Sequence, residues 1–276
     1  MRRGLSMWSL EKEAHAGRLT AVDFVRFAGT LGIEAVELLD FFWQDEAREL
    51  AEVKAAAAGE GLAIGAYAIG NDFVAPDAGE RLRQVDYVKH GVDVAAELGT
   101  RILRVFSGNA REGIPFATAR EWIVAGLAEA AAYAEGTGVV LALENHGLFA
   151  GRSEQVAGIL DEVASPALKA TTDTANFLLV GEVPHVAVAA LAGRAAHVHL
   201  KDFRKVDPDY EGPAYQSTGG ERYVGTVLGE GDVKLTAVLE SLRQAGFAGV
   251  LSLEYEGTGD AREDVRRSLA NLKAML

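Results

Sequence analysis

The chain has no cysteine. That absence excludes disulfides, thiolate metal sites and cysteine nucleophiles, and it confines any metal ligand set to oxygen and imidazole. Long apolar runs are also missing: nothing approaches the roughly 20 uninterrupted apolar residues of a membrane span. The N-terminal MRRGLSMWSLEKEAHAG breaks into charge after about six residues, too short for the apolar region of a signal peptide, so cytoplasmic residence is expected. Positive charge is scarce, with 27 Lys and Arg against 40 Asp and Glu and a formal net charge of -13. Such a surface repels nucleic-acid backbones and anionic membranes, and neither is expected as a partner. A hydrophobic content of 49% is ample for a sizeable core in 276 residues.

What is present is an alternation of short β-rich runs with longer helical stretches. Strands are expected at 4–8, 35–40, 62–69, 101–107, 139–145, 169–174, 196–201 and 250–255. Amphipathic stretches lie between them, such as TAVDFVRFAGTLG with Thr20 as N-cap, and ERLRQVDYVKHGVDVAAELG ending on Gly99. Eight βα units with no linker or composition break predict one (β/α)8 TIM barrel over residues 1–276. The runner-up, a doubly wound open sheet, lacks a G-x-G-x-x-G after the first strand in its nucleotide-binding form.

Four of the runs end on groups that an apolar strand does not bury for packing: Glu144, Asp173, His199 and Glu254. Alternate strand residues face opposite sides. Val140, Ala142 and Glu144, then Thr171 and Asp173, then His197, His199 and Lys201, then Ser252, Glu254 and Glu256 therefore form one inward set at the C-terminal mouth, where barrel active sites are built. Three carboxylates and an imidazole gathered there would repel one another without a cation, which points to one divalent metal ion. Three oxygen donors and one nitrogen suit Mn²⁺, Mg²⁺ or Co²⁺, with Zn²⁺ as a competitor.

Nearly the whole chain resembles the xylose isomerase-like TIM barrels, the superfamily of sugar phosphate isomerases and epimerases, through ALENHG, TTDTANF, HVHLKDF, LGEGDVK and LSLEYEG. The resemblance implies that Glu144, Asp173, His199 and Glu254 hold one divalent metal and that Glu144 and Glu254 double as the acid/base pair. One position departs: where ketose 3-epimerases of the family carry a histidine three residues beyond the Asp ligand, this chain has Asn176, which keeps a hydroxyl-binding role.

The chemistry expected is proton transfer beside a carbonyl of a small carbohydrate, phosphorylated or not, through an enediolate stabilised by the metal, with Glu254 as first choice for the base. A lyase of the inosose or dehydroshikimate dehydratase type on the same platform is the alternative, and an abasic-site endonuclease ranks last. His146, Asn176, His197, Lys201 and Trp8 are further candidates to contact substrate, Trp8 as an apolar wall at the end of the first strand. Glu37 and Arg104, polar residues in otherwise apolar strands, are expected to pair with each other across the barrel. Two long connections are read as lids or as surfaces of a homodimer. One follows the third strand and carries Phe73 as an exposed aromatic; the other follows the seventh and carries Tyr210, Tyr215 and Tyr223.

Overall fold

The computed structural model describes residues 1–276. Strands β1 (Arg2–Ser6), β2 (Ala35–Leu39), β3 (Ala63–Ala68), β4 (Ile102–Val105), β5 (Val140–Glu144), β6 (Leu168–Asp173) and β7 (Ala195–Leu200) pair in sequence order. Three short strands follow: β8 (Phe203–Val206), β9 (Tyr215–Gln216) and β10 (Arg222–Gly225). The last strand, β11 (Val250–Leu253), pairs in parallel with both β7 and β1 and closes an eight-stranded barrel. The fold is the expected TIM barrel.

Local signals in the sequence set the helices. Thr20 and Asp23 form a reciprocal capping box that starts the helix Ala21–Gly29, satisfying backbone donors that the first turn leaves free. Gly99, at φ 79°, ends the helix Ala78–Leu98 in the left-handed conformation. Strand alternation then divides the side chains. Leu141, Leu143, Val198, Leu200, Leu251 and Leu253 join helix residues such as Ile123, Leu127 and Leu239 in one apolar core. Glu37, His197, His199 and Ser252 lie buried in the lumen, His199 and Ser252 hydrogen-bonded to Glu37 and His197 3.3 Å from it.

Four local expectations are corrected. β1 runs over 2–6 rather than 4–8, because the Ser6 hydroxyl accepts from the Trp8 backbone N–H and turns the chain into a 3-10 helix, Met7–Leu10. Trp8 thus lies beyond the strand. β4 stops at Val105 because the Asn71 side chain, not a strand, bonds the N–H and carbonyl of Phe106. Phe73 is fully buried instead of exposed: its ring fills the slot left by Gly126, where a Cβ would come within 2.5 Å of it. Finally, the connection between β7 and β11 folds into a three-stranded antiparallel sheet in the order β8, β10, β9, in which Tyr223 is buried and Tyr215 stays 43% exposed. No helix is long and apolar enough to cross a membrane.

Candidate active site

Glu144, Asp173, His199 and Glu254, from β5, β6, β7 and the end of β11, meet at the C-terminal mouth. One ligand atom from each lies within 4.8 Å of all the others, and all four residues are buried. His199 Nδ1 sits 3.6 Å from Glu144 Oε2, 3.8 Å from Glu254 Oε2 and 3.9 Å from Asp173 Oδ2.

The aim of each group has a local cause. Asp173 spends Oδ1 on the backbone N–H groups of Ala175 and Asn176, both at 2.9 Å, an Asx turn that the TDTAN segment forms by itself. Its Oδ2 is thereby turned toward the cluster. Asn145 ties β5 to β6, donating to the Asp173 carbonyl and accepting from the Asp173 N–H. Glu37 on β2 accepts from His199 Nε2 at 2.9 and 3.1 Å and from the Ser252 hydroxyl at 2.7 Å. A carboxylate on one imidazole nitrogen leaves the other to present a lone pair, the usual outer contact of a metal-binding histidine.

The residues fit a divalent cation. His199 Nδ1 is buried and has no hydrogen-bond partner, a costly state for a buried polar atom, and Asp173 Oδ2 faces it at 3.9 Å with the Lys201 ammonium 2.9 Å away as its counter-charge. An oxygen-rich set with one imidazole matches hard or borderline divalent ions. With the protein groups alone, burial pushes the Asp173 carboxyl up to about 7, the Glu254 and Glu144 carboxylates adding to the effect while Lys201 opposes it. Burial also pushes the Glu37 carboxyl up, but the His199 and His197 imidazoles outweigh this and hold it well below the usual range. For His199, burial disfavours the charged ring, and the surrounding carboxylates of Glu37, Glu254 and Glu144 reverse the balance and raise it well above its ordinary value.

A cavity of about 210 Å³ opens over these groups, with Trp8, Phe41, Phe106, His146, Arg104 and Lys201 among its walls. A larger concavity of about 710 Å³ lies elsewhere, along the helices Ala21–Gly29 and Glu46–Gly59, and contains none of the four converging residues.

The other candidates are distributed as follows. Trp8 lines the cavity and donates from Nε1 to Glu256 Oε1 at 2.9 Å. His146 stands in the cavity wall with its ring 4.5 Å from that of Phe106. Asn176 donates to Glu144 Oε1 at 3.2 Å and to the Asn145 carbonyl at 3.1 Å. Lys201 Nζ bridges three carboxylates, Glu254 at 2.8 Å, Asp173 at 2.9 Å and Glu256 at 3.2 Å, so it serves as their counter-ion. His197 does not reach the cavity. It lies two residues deeper on β7, fully buried, 3.3 Å from Glu37 and edge-on to His199.

Glu37 and Arg104 do not pair. Arg104 Nε lies 3.2 Å from Glu144 Oε2, and its Nη1 donates to the Ile69 carbonyl at 2.8 Å. Phe41 and Phe106 line the cavity without a sequence signal that marks them, whereas Glu256 takes the inward place that strand alternation gives it.

The family model described as xylose isomerase-like TIM barrel matches residues 25–275. The chain belongs to that family. By sequence, no curated protein matches it. Among solved structures, a D-psicose 3-epimerase of Clostridium cellulolyticum with D-tagatose is 17% identical at a TM-score of 0.78, covering 100% of this chain and 98% of that one. The probable 3-DHS dehydratase AsbF of petrobactin synthesis from Bacillus anthracis is 19% identical at 0.78, with 99% of each chain covered. The 3-keto-D-glucoside 4-epimerase of E. coli, in its apo form, is 17% identical at 0.73, covering 92% of this chain and 94% of that one. At these identities the likeness is one of fold, and the xylose isomerase-like barrel holds several reactions.

Proposed function

We propose that this protein is a divalent-metal-dependent isomerase or epimerase acting on a small keto sugar or keto-polyol, with Glu254 and Glu144 as the proton-transfer pair. The observation that carries this reading is the different engagement of the two carboxylates. Glu144 has a close neighbour on each oxygen, Oε1 accepting from Asn176 at 3.2 Å and Oε2 lying 3.2 Å from the Arg104 guanidinium. Glu254 engages only Oε2, with Lys201 and His199, and its Oε1 is free where the residue borders the cavity.

A metal held by Glu144, Asp173, His199 and Glu254, of the Mn²⁺, Mg²⁺ or Co²⁺ type with Zn²⁺ as competitor, would supply Lewis acidity toward the substrate carbonyl. The protein groups do the rest. Glu254 Oε1 takes the proton from the carbon beside the carbonyl, while Lys201 Nζ donates to Glu254 Oε2 at 2.8 Å and holds the carboxylate in place. Delivery of a different proton by Glu144, in its protonated form, to the opposite face of the planar enediolate gives epimerisation and leaves the abstracted proton on Glu254; transfer of the abstracted proton by Glu254 to the neighbouring carbon gives isomerisation. Trp8, Phe41 and Phe106 offer apolar walls to the C–H face of a sugar.

Glu254→Gln preserves shape and an oxygen ligand while removing the base. Turnover is expected to fall by roughly 10² to 10⁴, with metal still bound. In deuterium oxide the parent should place solvent label beside the carbonyl and the variant should not. Exchange by the variant at the parent's rate would move the base to Glu144. Loss of a β-hydroxyl from the labelled substrate would make the protein a dehydratase on the same site.

A further inference from the structure

We propose that the cavity over the converging groups is one lobe of a two-lobed cleft, and that the second lobe is a subsite for a neutral hexose ring carried by the substrate as a substituent. The inference rests on the proposed function for the reacting half only. A cavity of about 240 Å³ adjoins the first, of about 210 Å³, and His146, Lys201 and Glu256 line both. Either lobe alone falls short of the roughly 300 Å³ at which pockets begin to enclose a drug-sized ligand, and together they exceed it. A free monosaccharide would leave the second lobe to water.

The walls of that lobe specify its occupant. Phe203 and Tyr215 stack at 5.0 Å and 13°, and with Leu148, Leu179 and Val180 they make an apolar side. Leu148 and Tyr215 are 52% and 43% exposed, more than packing alone calls for, and an aromatic platform of this kind takes the C–H face of a pyranose. Asn176 and Gln216 supply amides for hydroxyl groups. The Asn176 amide nitrogen is already used by Glu144 and Asn145, which directs its carbonyl oxygen to a donor such as a hydroxyl. An anionic group is disfavoured. The one cation in the wall, Lys201, is saturated by three carboxylates, and the Glu256 carboxylate stands in the partition.

The inference also gives the long connection after β7 a task. Tyr215 and Gln216 are β9, fixed by pairing with Tyr223 and Arg222 of β10. Thr218 donates to the Leu179 carbonyl at 2.8 Å, tying the small sheet to the short helix Asn176–Leu179 across the lobe. The insertion thus builds a wall of the subsite.

Ligand-observed NMR by saturation transfer tests this with methyl α-D-glucopyranoside and maltose as neutral probes and glucose 6-phosphate as the anionic one. The parent should bind the neutral probes both metal-loaded and after chelation, and the phosphate more weakly. Leu179→Trp, which fills the lobe, should weaken glucoside binding roughly tenfold or more. Gln216→Ala, at an exposed position, should weaken it in the same direction and carries the test if the tryptophan variant fails to fold. Absence of saturation transfer to either neutral probe at tens of millimolar, or undiminished binding by both variants, overturns the subsite. Glucoside binding by a protein that takes up no metal leaves the subsite standing and sinks the proposed function. Metal uptake and proton exchange without glucoside binding do the reverse.

Discussion

Glu37 makes no contact with the cavity, yet it decides which nitrogen of His199 faces the carboxylates. Its contact with His199 joins residues 162 apart in sequence. Glu37→Gln keeps the volume but weakens the grip on Nε2, and an amide can present either donor or acceptor. Metal affinity is expected to fall about 10- to 100-fold with the fold retained, the range found when outer partners of metal ligands are removed. Metal titration of the two proteins checks this; equal affinities would mean that packing alone orients the ring. At this scale the four converging residues were legible in the sequence because each ends an apolar run. Their partners were not. Glu37 was assigned to Arg104, and only barrel closure, which brings β2 within reach of β7 and β11, shows that it serves His199 and Ser252.

Among the elements, β11 has the most to support, since it closes the barrel between β7 and β1 and delivers Glu254. Its Leu253 is 1% exposed and registers with Leu200 of β7 and Leu5 of β1. Leu253→Ala should leave a cavity between barrel and helices and cost about 2–5 kcal/mol, measured by equilibrium denaturation. A neutral result would mean that the site collapses around the smaller side chain. Strand existence was readable from hydrophobic pattern, while strand ends were not, because they depend on single polar contacts. Ser6 turns the chain at the end of β1, and Asn71, from a different connection, takes over the backbone of Phe106. Likewise the exposed aromatic expected at Phe73 depends on a helix residue 53 positions away, Gly126, whose missing side chain makes the slot.

Over the whole molecule, the clustered charges couple stability to pH and metal. Asp173, raised from its ordinary value of 3.8 to about 7, favours the folded state when neutral. Its contribution is complete below about 3.8 and lost as pH rises through about 7. Asp202, raised by burial to about 6, acts in the same sense. Glu37 and Glu144 are shifted downward, so their contributions are lost only at more acid pH, outside this window. Chelated protein should therefore lose thermal stability between about pH 4 and 7, with a shallower slope for Asp173→Asn. Metal binding needs the Asp173 carboxylate and a free His199 nitrogen, so it releases protons. The difference in Tm between metal-loaded and chelated protein should widen as pH rises through about 7, and a constant difference would place the metal elsewhere.

The sequence by itself determined the βα alternation, the inward set of polar strand ends and the exclusion of sulfur from the site, since each depends on local periodicity or on composition. Tertiary structure decided everything that requires two distant segments at once. It placed Lys201 among three carboxylates and His197 below the cavity, left Oε1 of Glu254 free while Glu144 has a close neighbour on each oxygen, and folded the connection after β7 into a wall beside the mouth. Hydrogen bonds and ion pairs act only over a few ångströms. Which groups come that close is fixed by closing the barrel, and no single strand carries that information.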